Sequence, residues 1–162
     1  MRWDLVTRFE VLQKGIYSRA IKSYTGREDF FSEHFPGKPR VPQPFLLEMI
    51  AQAGGVLFGL GLDFKKEVIL AKIEDAVFHD EVAPPCELLI EARMEEERED
   101  GAWVAGTVTH KTKVVAEARI LLAAVENLIE GKAGIVFNSI FMEKYQILEI
   151  AKKSQAEGAR VS

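Results

Sequence analysis

Cysteine is almost missing from this chain: Cys86 stands alone. A single thiol excludes an intrachain disulfide, and with only three histidines beside it a zinc site of ordinary ligand spacing is not expected. Positive charge is in short supply too. The formal net charge is -4 and the pI about 5.5, which argues against a nucleic-acid binder with its basic face. Met1-Arg2-Trp3-Asp4 opens no apolar signal core. No apolar run is read as long enough for a membrane span. There is no Gly-rich phosphate loop, no Ser-His-Asp arrangement and no internal repeat. The expectation is a reduced, cytoplasmic protein with no cofactor or metal, no nucleic-acid partner and no membrane. Within those bounds, 162 residues at 48% hydrophobic and 28% charged suffice for one domain with an ordinary core.

Proline is sparse but concentrated. Four of the six prolines fall between Pro36 and Pro44, with Gly37 among them. Proline fixes φ and pushes the preceding residue out of the helical region, so this stretch predicts a stiff loop. It carries His34 at its start. The stretch after it is apolar or small on every side from Phe45 to Phe58, except at Glu48 and Gln52. A helix apolar all round is a buried helix, here expected over 44–60 with Pro44 at its first position. Glu48 and Gln52 are one turn apart and share a face.

The rest of the chain alternates as strands do. Residues 5–24 read as two strands around Gln13-Lys14-Gly15, and 25–44 as loop. Lys65-Lys66-Glu67 reads as a solvated connector. Val68 to Ile73 and Ala76 to Phe78 read as one strand with a polar break. Leu88, Ile90, Ala92 and Met94 share a face; so do Val114, Ala116, Ala118, Ile120 and Leu122. Asp100-Gly101 marks a hairpin. The total is about six strands. Residues 126–135 read as a linker, Asn138 to Lys153 as an amphipathic helix with Phe137, Phe141, Tyr145 and Leu148 along one side and Ile140, Ile147 and Ala151 beside them, and Gln155 to Ser162 as a frayed tail. One apolar helix among antiparallel strands predicts a sheet curled around it. A face or edge then stays bare, which predicts dimerisation.

The chemistry follows from the two odd residues. A histidine held by prolines is a preorganised general base. A glutamate in an apolar surround is driven towards its neutral form and can donate a proton, with Gln52 to orient it. The plain alternative is a Glu48 that pairs with Arg8 or Arg40 and only fastens the helix. Base, acid and helix N-terminal amides suit elimination or addition across Cα–Cβ of a carbonyl compound.

His34-Phe35-Pro36-Gly37-Lys38-Pro39, then Pro42, Glu48 and Ala51-Gln52-Ala53, resembles the signature of the 3-hydroxyacyl-[acyl-carrier-protein] dehydratases of hot-dog fold, FabZ type. Ala71-Lys72-Ile73-Glu74-Asp75-Ala76-Val77-Phe78 and Val114-Val115-Ala116-Glu117-Ala118 extend the resemblance over roughly residues 5–125. It implies an α+β hot-dog domain over 1–125, with 126–162 as a linker and helix extension. It implies His34 and Glu48 as the catalytic pair, drawn from opposite subunits of a homodimer or a trimer of dimers. The implied reaction converts a (3R)-hydroxyacyl chain on acyl carrier protein to the trans-2-enoyl thioester, in fatty-acid or related lipid synthesis. Gln43, Phe35, Gly37, Gln52 and Phe31 are the candidate substrate-binding residues. The related FabA type carries aspartate where this chain has Glu48.

The chain also departs from that family. Gln43-Pro44 stands where the family has glycine, whose amide polarises the thioester carbonyl; Gln43 keeps an N–H. The helix and Pro-His-Arg-type segment usual in FabZ are missing before Trp3. His79-Asp80-Glu81 replaces basic residues, which leaves Lys38, Arg40, Lys65 and Lys66 as contacts for an acidic carrier. Pro84-Pro85-Cys86 replaces Pro-Gly-Asp. Two alternatives stay open: a hot-dog thioesterase using Glu48, and a non-catalytic acyl-binding partner subunit.

Overall fold

The computed structural model describes residues 4–126 and 136–158; residues 127–135 of the expected linker and the last four residues of the tail lie outside them. The first two runs form the antiparallel pair β1 (Arg8–Gln13) and β2 (Tyr17–Tyr24). The proline-rich stretch follows, then the long helix. Four antiparallel strands complete the sheet: β3 (Glu67–Phe78), β4 (Cys86–Glu97), β5 (Gly101–His110) and β6 (Lys113–Val125). Their order is β1-β2-β4-β5-β6-β3. The Asp100-Gly101 hairpin joins β4 to β5 as expected.

Two local readings change. The stretch 25–44 holds one helical turn, α1 (Phe30–Glu33), because Phe31 folds inward against Tyr24 and Phe30. The predicted break in β3 is no break. The strand runs on through two irregularities, between Leu70 and Lys72 and between Ile73 and Asp75.

The long helix, α2 (Gln43–Gly61), starts one residue earlier than predicted, with Pro42 as N-cap. It touches β2, β3, β4, β5 and β6. One cylinder can meet five strands only if the sheet curls around it. This is the hot-dog architecture. Met49, Ile50, Leu57 and Phe58 are fully buried, each contributing about 1.5–3 kcal/mol of burial. Close approach depends on Gly106: a Cβ there would lie 2.4 Å from Ile50 Cγ2. Contrary to the sequence reading, α2 is long and apolar enough to cross a membrane, but the sheet accounts for its apolar surface.

Three further expectations are corrected. Val114 is 42% exposed, because a register shift at Val108/Thr109 turns Val115 inward instead. Glu67 is no solvated connector: it is buried and accepts from the Val136 amide at 3.0 Å. The C-terminal helix is two helices, α3 (Ser139–Lys144) and α4 (Ile147–Gly158), separated at Tyr145 and Gln146, where Gln146 has φ 50°. The break changes the helical phase, so Leu148, beyond it, faces solvent; Ile140, ahead of it, is exposed as well.

The two sheet edges differ. The β1 edge is covered by α4, which buries Ile147, Ala151 and Ser154 against it. Ser154 Oγ accepts the buried Leu12 N–H at 3.0 Å. Ser154→Ala should leave that amide unpaired and lower stability by about 1–3 kcal/mol. Chemical denaturation checks this; an unchanged midpoint would mean the amide is satisfied otherwise. The β3 edge has no described neighbour beyond β6, and Ile69, Leu70 and Ile73 on it are 36%, 38% and 45% exposed.

Candidate active site

The proline-rich loop is closed by its own backbone. His34 N–H donates to Phe30 O at 2.9 Å, Lys38 N–H to Phe35 O at 2.9 Å, and Arg40 N–H to His34 O at 3.1 Å. Gly37 sits at φ +73°, a conformation that suits glycine. The Val41 amide ties the loop's end to Val82 O at 2.8 Å. The His34–Phe35 peptide bond is cis. His34 is half-buried and its ring stacks on Phe35 with centroids 4.2 Å apart. Its Nδ1 is buried with no hydrogen-bond partner among the described residues. The imidazole is fixed in place with a ring nitrogen uncommitted.

Glu48 projects from the second turn of α2 and is half-buried. Gln52 Nε2 donates to Glu48 Oε1 at 3.2 Å. Gln52 Oε1 in turn accepts the Leu5 N–H at 3.3 Å, which sets which way the amide points. Among the described residues Glu48 has no salt bridge. Arg8 pairs with Glu10 and Glu87, and Arg40 with Glu81. The carboxylate is positioned by an amide and not neutralised by a cation, so the fastening role with Arg8 or Arg40 is not observed.

Glu48 and Gln52 line a cavity of about 700 Å³, floored by Val68, Ile69, Leu70 and Leu122 and walled by residues 136–145. Native voids seldom exceed the size of a water, whereas small-molecule sites span about 300–1,000 Å³. His34 is not among the residues that line it. The other candidates also sit apart from it. Gln43 is the first residue of α2, exposed, at the end where helix amides lack intrahelical acceptors. Phe35 is 52% exposed, Gly37 is exposed, and Phe31 is buried at 4%. Lys38 and Arg40 both lie against Glu81, at 3.5 and 3.1 Å. No group of three or more His, Cys, Asp or Glu converges as a metal site would among the described residues.

The family described as FabA-like domain matches residues 4–119. The chain belongs to this family. It is 35% identical over 130 residues to a 3-hydroxyacyl-[acyl-carrier-protein] dehydratase FabZ from Hydrogenobaculum sp., covering 77% of this chain and 88% of that relative. The FabZ of Erwinia tasmaniensis is 34% identical over 122 residues, covering 74% and 81%. Solved structures share the fold at low identity. A Streptococcus mutans protein bound to acetyl CoA superposes with a TM-score of 0.58 at 14% identity, covering 73% of this chain and 87% of that one. The dehydratase heterocomplex from Xenorhabdus doucetiae gives 0.55 at 16%, covering 67% and 88%.

The FabA-like match ends at Ala118-Arg119, so the wall formed by residues 136–145 lies beyond it. The sequence places Phe137, Phe141 and Tyr145 along one side of a helix; they do pack on the core, and they also line Glu48's cavity, which that pattern does not reveal. Sequence reading also missed Asp4, whose carboxylate takes hydrogen bonds from Lys144 Nζ and Tyr145 Oη. Burial pushes that carboxyl up, but these two bonds outweigh it and hold it below the usual range. Cys86 is a buried free thiol, pushed up to about 11 by burial and the nearby Glu28.

Proposed function

We propose that this chain removes water from a (3R)-hydroxyacyl thioester on acyl carrier protein, giving the trans-2-enoyl thioester in fatty-acid synthesis. The observation that supports it most is Glu48, aimed by Gln52 into an apolar cavity, in a chain 35% identical to a protein of that activity. His34 takes a proton from Cα. The electron pair moves into the Cα–Cβ bond as the Cβ–O bond breaks. Glu48 delivers a proton to the departing hydroxyl, which leaves as water. The Gln43 amide, at the N-terminus of α2, faces the negative charge that develops on the thioester oxygen. Phe35 and Gly37 shape the loop that presents His34, and Phe31 anchors it.

One protomer does not place His34 in the Glu48 cavity, so the pair is completed by a second copy. The bare β3 edge supports that reading: Ile69 and Leu70 belong both to the edge and to the cavity lining. A copy docked along β3 therefore stands beside Glu48. Residues 1–125 carry this chemistry and 126–162 form an extension to it. A lone buried cysteine suits a reducing, cytoplasmic setting.

Incubation with crotonyl thioester tests the reaction in reverse. Hydration without release of free thiol is the expected result. Thiol release would replace the dehydratase with a thioesterase, and neither product would leave an acyl-binding protein.

A further inference from the structure

The cavity has an inner and an outer wall of different origin. The inner wall is one stripe of α2: Glu48, Ala51, Gln52, Gly55 and Val56. Their spacing follows helix periodicity and covers about 12 Å along the axis. The stripe begins with the carboxylate and its amide and ends with small or apolar residues, the profile of a site for a thioester with an apolar tail.

Gly55 is the informative residue in that stripe. A Cβ added at Gly54, Gly59 or Gly106 would meet neighbours at 3.0, 2.9 or 2.4 Å, so packing explains those glycines. At Gly55 the nearest atom is Val68 Cγ1 at 3.9 Å, and packing does not require a glycine. Glycine also weakens a helix relative to alanine. What its missing side chain provides is room in the cavity.

The outer wall is the segment that carries Phe137, Phe141 and Tyr145. Their rings form a continuous line, with centroids 5.8 Å apart from Phe137 to Phe141 and 4.8 Å from Phe141 to Tyr145. Both ends are anchored. Phe137 meets Phe64, just past the end of α2, at 5.1 Å; Tyr145 meets Phe9 of β1 at 5.8 Å. Lys144 and Tyr145 both bind the Asp4 carboxylate. A wall held at two ends has a fixed distance from the α2 stripe.

We propose that residues 136–145, outside the FabA-like domain, close the acyl cavity opposite α2 and set the longest acyl chain the site accepts. This rests on the dehydratase reading above. Gly55 and Phe141 both line this space and act as its specificity-determining residues.

The test measures kcat/KM for crotonyl and dodecenoyl thioesters in the full-length protein and compares the ratio between variants. A ratio cancels any loss of active enzyme, so partial unfolding does not imitate the effect. Gly55→Leu is expected to lower the dodecenoyl-to-crotonyl ratio by at least about tenfold, since one methylene group's misfit can discriminate that much. Phe141→Ala is expected to raise the ratio and extend the longest accepted chain; Phe141→Leu, checked by thermal melting, serves if the alanine variant does not fold. If wild type hydrates crotonyl thioester and neither variant moves the ratio, the wall is packing only and the proposal is overturned. If Gly55→Leu alone moves it, the cavity takes the chain but residues 136–145 do not limit it, which also overturns the proposal. If wild type hydrates neither thioester, the dehydratase reading itself falls and this inference with it.

Discussion

His34→Ala and Glu48→Gln proteins should each lose about 10²- to 10⁴-fold in turnover, the range of general acid–base catalysis. Mixed and refolded together, they should regain about a quarter of wild-type activity, by random assortment of an isologous pair. The proposed shared site sets that figure. Half of the dimers are mixed, and each mixed dimer holds one site with an intact His34 from one copy and an intact Glu48 from the other. Its second site carries both defects. The substitutions suit the test because they disturb little else. His34 Nδ1 has no partner to lose among the described residues. A glutamine at 48 still offers an oxygen to Gln52 Nε2, which now bonds Glu48 at 3.2 Å. Steady-state assays of each variant and of the mixture give the answer. A mixture no more active than its components would place both residues of a site in one chain, and full activity in either variant alone would remove that residue from the chemistry.

The second large effect lies at the β3 edge. Ile73→Lys should convert the proposed dimer to a folded monomer and abolish turnover with it. Ile73 is 45% exposed on a strand with one described neighbour, β6. In an antiparallel isologous pairing both copies bring the same residue to the interface. A lysine there adds two like charges, and lysine is a common guard against edge-to-edge pairing. Ile73 lies outside the Glu48 cavity lining, so the substitution does not reach the chemistry directly. Light scattering gives the mass, circular dichroism the fold, and the crotonyl assay the activity. A monomer that keeps turnover would refute the shared site. An unaffected dimer would put the interface elsewhere, and the β1 edge is already filled by α4.

Much of this was legible one residue at a time. Prolines at 36, 39 and 42 enforce a loop, Pro44 opens the helix, and the apolar run behind it reads as a buried helix. Alternation at Leu88, Ile90 and Ala92 put all three inside, at 0% exposure. The misreadings share a cause. Val114 was read by a strict period of two, and a register shift upset the count. Leu148 was read by an unbroken helical period, and the left-handed backbone at Gln146 reset it. Glu67 was read by its charge, although a distant amide satisfies it. Phe141 has the same periodic signature whether it faces a core or a cavity, so its pattern could not distinguish the two.

The sequence by itself determined the His34 loop, the helix with its one carboxylate, most of the strand faces and the family. Each of these is written in local order, within a few residues. Only the tertiary structure decided that Leu5 aims Gln52 across 47 positions, and that Asp4 holds Lys144 across 140. It alone decided which sheet edge α4 covers and which distant residues line the cavity beside Glu48. Contacts between distant residues depend on how the sheet curls and where the chain returns, and no local period records that.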